Sequence, residues 1–248
     1  MLKTKYIRLF QNATTARRMG FSGVLAAAMF LTAGVASAEF VAYTGQPNTL
    51  KEPPLQAYGG SLGMDFTVNS AINVDAMGVY DAAGNGVING TLQVEIFEHN
   101  ADNSWTPITA TYAEFTSANP GTQDLVNDGP YDVYQAISPV LLDPGNYSVV
   151  AVGFSTQDPN GNTGDGSLGA TEDNSGLLTY TGSSRYNTDE NDALVFPTTV
   201  DGGPANRYDA GTFEFSEAPE PASFILIGIG LLLAAFVGRR RQKSLLKA

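Results

Sequence analysis

Cysteine is absent from this 248-residue chain, and histidine and tryptophan each occur once. Without cysteine there is no disulfide scaffold, no thiol nucleophile, no thiolate zinc site and no iron–sulfur cluster. A single histidine, His99, excludes every multi-histidine metal site and leaves little for histidine-based acid–base chemistry. Basic residues are scarce wherever acidic ones are found. Residues 39–221 carry only Lys51, Arg185 and Arg207 against all 25 acidic side chains, a net charge of −22. A segment that acidic repels phosphate backbones, so nucleic acid is excluded as a partner.

The remaining basic residues lie at the two ends, where there are no acids. Lys3, Lys5, Arg8, Arg17 and Arg18 precede an apolar run from Phe21 to Val35. Ala36-Ser37-Ala38 follows, with small residues where a signal peptidase needs them. The run is shorter than the roughly 20 residues of a spanning helix. Residues 1–38 therefore read as a signal peptide, cleaved between Ala38 and Glu39. At the other end, Pro219-Glu220-Pro221 precedes an uncharged, mostly apolar stretch from Ala222 to Gly238, closed by Arg239-Arg240-Arg241. As a helix rising about 1.5 Å per residue, that stretch is just long enough to cross a thin bilayer. Pro221 suits a first helical turn, where its missing N–H costs nothing. The arginines act as a stop-transfer signal and stay cytoplasmic. Both ends then predict one topology, with the acidic segment exported.

This C-terminal order of Pro-Glu-Pro-Ala-Ser, short apolar helix and arginine cluster resembles the PEP-CTERM sorting signal of Gram-negative bacteria. The resemblance implies recognition of Pro219, Glu220 and Pro221 by an integral-membrane exosortase. It also implies transient anchoring in the inner membrane, then delivery to the cell surface or an extracellular polysaccharide (biofilm) matrix.

Between the ends, no window shows sustained helical periodicity. Leu62, Met64, Phe66 and Val68 alternate with Ser61, Gly63, Asp65 and Thr67. Ile72, Val74 and Ala76 continue the pattern, and Met77 and Val79 shift its phase, which predicts a bulge. Further strands are expected at Leu92 to Phe97, Ile108 to Phe115, Tyr131 to Ile137, Tyr147 to Phe154, around Tyr180, at Leu194 to Phe196 and at Gly211 to Phe215. Asp81 to Gly86 and Asp143 to Asn146 have the chemistry of tight turns. Ser155 to Gly176 reads as a long exposed loop, too polar to pack. The expected fold of residues 39–218 is all-β, a single antiparallel, jelly-roll-like sandwich.

Several stretches are also similar to a β-sandwich domain of unassigned function that recurs in PEP-CTERM proteins. They are Gly63 to Gly86, with Phe66-Thr-Val-Asn-Ser70 leading into Met77-Gly-Val-Tyr-Asp81; Leu92 to Phe97; Pro139 to Gly153; Phe196-Pro197; and Arg207-Tyr208. The similarity implies a fold and an address but no reaction. Ala83 and Asn85 stand where that family's turn commonly carries acids.

Chemistry-bearing residues are few. Asp158-Pro-Asn160-Gly-Asn162-Thr-Gly-Asp165 begins like a calcium loop, with oxygen ligands at alternate positions. Thr163 stands where the EF-hand needs Gly, and Gly169 where it needs Glu, so only a looser Ca²⁺ site remains. It would use Asp81, Asn85 and Asn89 or Asp158, Asn160 and Asn162. Asp189, Glu190 and Asp192 could mimic a glycosidase carboxylate pair, although so acidic a segment places carboxylates side by side by composition alone. His99 has no accompanying nucleophile motif and is expected at a hairpin turn. Trp105 and Tyr112, Tyr131, Tyr134, Tyr147 and Tyr180 either fill the core or, if exposed on one face, stack on sugar rings. The expectation is thus a non-enzymatic exported protein without a required cofactor. A carbohydrate-binding module is the alternative and a glycan hydrolase the more distant one.

Overall fold

The computed structural model describes residues 39–44, 55–126, 128–162, 171–172, 175–189 and 193–219. The expected signal peptide, with Ala36 and Ala38, lies outside the described residues. So do Glu220, Pro221, the expected helix at 222–238 and Arg239, Arg240 and Arg241. The described chain is all-β: apart from one turn of 3₁₀ helix at Thr109–Thr111, its regular elements are strands.

Two antiparallel sheets carry the fold. The smaller has β1 (Glu39–Val41) and, numbering on in chain order past β2 (Tyr43–Thr44) and β3 (Leu55–Gln56), β5 (Ile72–Tyr80), β9 (Asp132–Leu142) and β16 (Gly211–Glu217), in the order β1-β16-β5-β9. The larger is built from β4 (Leu62–Val68), β6 (Thr91–His99), β7 (Trp105–Pro107), β8 (Ala113–Thr116), β10 (Gly145–Val152), β13 (Leu178–Tyr186) and β14 (Thr199–Val200). Its order is β14-β13-β4-β10-β6-β7, with β8 also paired to β6. Short pairings close one end: β11 (Asn160–Asn162) between β15 (Tyr208–Asp209) and β3, and β12 (Thr171–Glu172) on β2.

Period-2 alternation explains the layering. On β4 the buried Leu62, Met64, Phe66 and Val68 face inward, and so do Leu92, Val94 and Ile96 on β6. From the smaller sheet come Ile72, Val74, Met77, Val79, Phe213 and Phe215, all fully buried in the same cluster. Phe66 and Phe213 meet at 5.1 Å between ring centroids, Phe66 and Tyr147 at 5.7 Å. The chain passes repeatedly between layers. The Asp143-Pro144 turn takes it from β9 in one sheet to β10 in the other, and the Tyr147 hydroxyl donates to the Asp143 carbonyl at 2.8 Å across that corner.

The expected phase shift is present as a bulge. Pairing of β5 with both neighbours slips between Val74 and Ala76: Asp75 is the extra residue against β16, whereas on the other side Ile137, Ser138 and Pro139 of β9 stand opposite Asp75 alone. Met77 and Val79 thereby return to the core side.

Three expectations need correction. Ile108 to Phe115 is not one strand: Thr109–Thr111 forms the 3₁₀ turn and only Ala113–Thr116 pairs. The buried Thr111 hydroxyl, which accepts from the Ile96 amide and donates to the Ile108 carbonyl, favours the turn. The strand expected to end at Ile137 runs on to Leu142, because Pro139 falls in the irregular stretch of an edge strand, where no N–H is required. Leu194 to Phe196 forms no strand and instead lies across the outer face of the larger sheet. Replacing Phe213 by Ala should cost about 3–5 kcal/mol of folding stability, read as a lower urea midpoint of the purified protein.

Candidate functional site

The C-terminal strand hands the chain directly to the sorting tripeptide. β16 lies between β1 and β5 and ends at Glu217; the Ala218 amide makes a last bond to the Ala71 carbonyl at 3.0 Å. Pro219, exposed, cannot extend the ladder because it has no N–H. β1 pairs antiparallel to this strand, with Glu39 opposite Ser216. The first residue after the expected signal cleavage and the first residue of the tripeptide therefore leave the sandwich at the same pole.

The outer face of the smaller sheet is acidic. Glu214 lies beside Glu39 on the outer face of the smaller sheet, and burial pushes its carboxyl up to about 7, helped by the negative charges of Glu39 and Asp124. On the same face the Tyr134 hydroxyl donates to Asp128 at 2.5 Å, over a Gly78 whose hydrogen leaves room for the ring. Burial also raises the Asp128 carboxyl and holds that of Asp209, with Asp128 nearby, well above the carboxylate range.

The expected calcium ligands are distributed rather than gathered. Asp81 accepts from the amides of Ala83, Asn85 and Gly86 at 2.6–3.1 Å, closing its own turn, where Gly84 and Gly86 take positive φ. Asp158 accepts from the Asn89 and Gly90 amides and from Asn89 Nδ2, tying two distant loops together. Asn160 is fully buried in β11, and Asn162 bridges Gln56 and Arg207. Asn89 and Asp158 thus meet, while Asp81 and Asn85 stay within their own turn. No group of three or more acidic or histidine side chains suited to a metal occurs among the described residues. This geometry also corrects the reading of Ser155 to Gly176 as unpacked. The polar stretch enters the fold through Asp158 and through Gly161, where a Cβ would stand 2.6 Å from that of Asp209. Residues 163–170 lie outside the described residues.

Of the expected glycosidase acids, Asp189 is exposed; Glu190 and Asp192 are outside the described residues. Of the aromatics, Tyr134, Tyr147 and Tyr180 are buried, Tyr131 is half-buried, and the exposed Tyr112 bonds Gln93 and Glu114. His99 ends β6 opposite Trp105, at the hairpin the sequence predicted.

An arrangement not foreseen lies on the outer face of the larger sheet. Asp65 on β4 holds Arg185 on β13 through Nε, at 2.7 and 2.9 Å to its two carboxylate oxygens. Burial pushes the Asp65 carboxyl up, against the hydrogen bond and charge of Arg185. Trp105 stacks on Phe196 at 4.2 Å and on His99 at 4.6 Å. The Arg185 guanidinium carbon lies 5.4 and 5.2 Å from the Trp105 and Phe196 ring centres. Ser61 anchors the strap that carries Phe196, its hydroxyl donating to the Ala193 carbonyl and accepting from the Val195 amide. An open groove of about 180 Å³ lies here, lined by Asp65, His99, Trp105, Asn146, Thr181 and Arg185 among others. Only one signal in the sequence pointed to it: a basic residue is costly to overlook in a segment with three.

Residues 217–241 match the PEP-CTERM protein-sorting motif. The match begins with the last residue of β16 and runs through the tripeptide to the third arginine. The chain therefore carries the signal of an exported protein whose C-terminus is processed by an exosortase. No curated protein matches it significantly.

Two expected outcomes follow from these contacts. Asp158→Ala should destabilise the protein by about 1–3 kcal/mol, because the amides of Asn89 and Gly90 lose a buried acceptor; urea denaturation measures it. For Glu214 the folded pKa exceeds the unfolded one. Its proton-linked stability is complete below about pH 4.5 and is lost as pH rises through about 7. Glu214→Gln should then raise Tm by roughly 2–4 °C at pH 8, the value allowing for its partial exposure, and leave it nearly unchanged at pH 4.5.

Proposed function

We propose that this chain is a non-enzymatic surface or matrix protein of a Gram-negative bacterium. Signal peptidase would release its N-terminus after Ala38, and an exosortase would act at Pro219-Glu220-Pro221. The helix at 222–238 would hold the precursor in the inner membrane until that step, with Arg239, Arg240 and Arg241 on the cytoplasmic side. The mature sandwich would then reach the cell surface or the extracellular polysaccharide, which is its partner in this reading.

One observation carries the proposal: the folded sandwich ends at Glu217, and the matched sorting motif starts there. A protease that must bind the tripeptide in extended form would meet it just past the last strand, where Pro219 is exposed, and a proline on each side of Glu220 disfavours helix there. The exit of Glu39 and Pro219 from one pole agrees with a precursor tethered at both ends to a single membrane. A non-enzymatic role is supported by the way the acids are used. Asp81 and Asp158 each accept backbone amides, and the buried acids of the smaller sheet face other acids or tyrosine.

In a strain with a functional exosortase, replacing Pro219, Glu220 and Pro221 together by alanine should leave the full-length precursor in the inner-membrane fraction. Immunoblotting of membrane and released fractions reads the result. Release of the triple variant at the wild-type level would overturn the sorting claim.

A further inference from the structure

The described residues contain two arginines and no lysine, and the fold uses the two arginines differently. Arg207 is taken up by structure: its Nε donates to Asn162, its Nη1 reaches both oxygens of Asp201, and its guanidinium lies over Tyr208. Arg185 spends only Nε on Asp65. Its two terminal NH₂ groups have no hydrogen-bond acceptor among the described residues, yet its side chain is only 16% exposed. The half-buried guanidinium is thus partly desolvated while its terminal donors stay open to the groove, where a charged acceptor gains more than it would in free solvent. It is also held in place, by a carboxylate on one side and by Trp105 and Phe196 against its body. Such a fixed fork suits a planar oxyanion.

The surroundings narrow the ligand. Arg185 lines the groove of about 180 Å³ together with Asn146 and Thr181. That is smaller than the roughly 300–1,000 Å³ of pockets that enclose a drug-sized molecule, so it takes one ring-sized unit. Asn146 is exposed and accepts from Thr67 through Oδ1, which leaves its NH₂ to donate. The Thr181 hydroxyl at the rim donates to the Asp65 carbonyl and accepts a long bond from the Ser183 amide, so towards a ligand it serves as an acceptor. Hydroxyl-bearing ligands match these groups. The Trp105 ring already stacks on Phe196 and His99, so it forms a wall and not an open platform. The −22 charge of residues 39–221 disfavours densely charged polyanions. It tolerates a single carboxylate flanked by neutral hydroxyls.

We propose that this groove binds a uronic acid unit of an extracellular glycan, its carboxylate paired with the terminal NH₂ groups of Arg185 and its hydroxyls with Asn146 and Thr181. This rests on the polysaccharide partner in the functional reading above, and it adds the site and the ligand chemistry.

Isothermal titration of the exported protein, purified from the envelope of an expressing strain, tests it. The probes are a disaccharide of one uronic acid and one neutral sugar, its methyl ester, and the neutral disaccharide. The acid should bind saturably at one site, and esterification should weaken it about tenfold or more, the scale of a lost charge-assisted pair. Arg185→Gln should abolish binding. Because that change also frees Asp65, a second variant is needed: Asn146→Asp, on an exposed side chain, should weaken the acid several-fold and leave the thermal melt unchanged. Equal binding of acid and ester, or full affinity in Asn146→Asp, would overturn the carboxylate assignment. No binding of any glycan would overturn the site while leaving sorting through Pro-Glu-Pro untouched, since that is scored separately by precursor fractionation.

Discussion

The apolar layer between the two sheets is the constraint on which the rest depends. With no cysteine and no disulfide, the sandwich stands on burial of alternate side chains from both layers. Phe66, Phe213 and Phe215 lie at its centre and the two rows of Leu, Ile, Met and Val around them. Every other feature is arranged so as not to break this layer. The bulge at Asp75 against β16 keeps Val74 and Met77 on one side of a nine-residue strand although they are three positions apart. The Asp143-Pro144 corner moves the chain between sheets without leaving a long unpaired stretch.

The outer faces solve a different problem, which is where to put polar and acidic side chains on sheets that are partly covered. On the larger sheet the 193–197 strap and the stacked Trp105, Phe196 and His99 form a second, smaller apolar contact, with Asp65 and Arg185 compensating each other inside it. On the smaller sheet no arginine or lysine is at hand among the described residues, and Glu214 and Asp128 lean on a raised proton affinity and a tyrosine hydroxyl. The two faces thus differ in electrostatic character. One holds a fixed cation beside a groove; the other holds carboxyls that resist ionisation.

Much of this was legible in the chain because it is local or periodic. The limits of β4, the phase shift in β5, the turn from Asp81 to Gly86 and the hairpin after His99 each depend on a few neighbouring residues. The elements that were misread depend on distant partners. Thr111 prefers a 3₁₀ turn because Ile96 lies across from it. Pro139 is tolerated because β9 is an edge strand. The polar stretch after Ser155 packs because Asp158 reaches amides some 70 positions earlier. Alternation cannot report any of these.

By itself, the amino-acid order determined the class of fold, the acidic character of the exported segment and the sorting signal at its end. All three are written in short-range pattern: hydrophobic period, charge count and a contiguous tripeptide–apolar–arginine run. Tertiary structure alone decided which of the two described arginines is taken up by neighbours and which keeps donors open to a groove. It also decided that Asp81 and Asp158 serve backbone amides, and that the two ends of the sandwich leave from one pole. Those outcomes turn on which strands become neighbours, and strand order in a sandwich is set by the joint burial of both sheets, a property no local window of sequence contains.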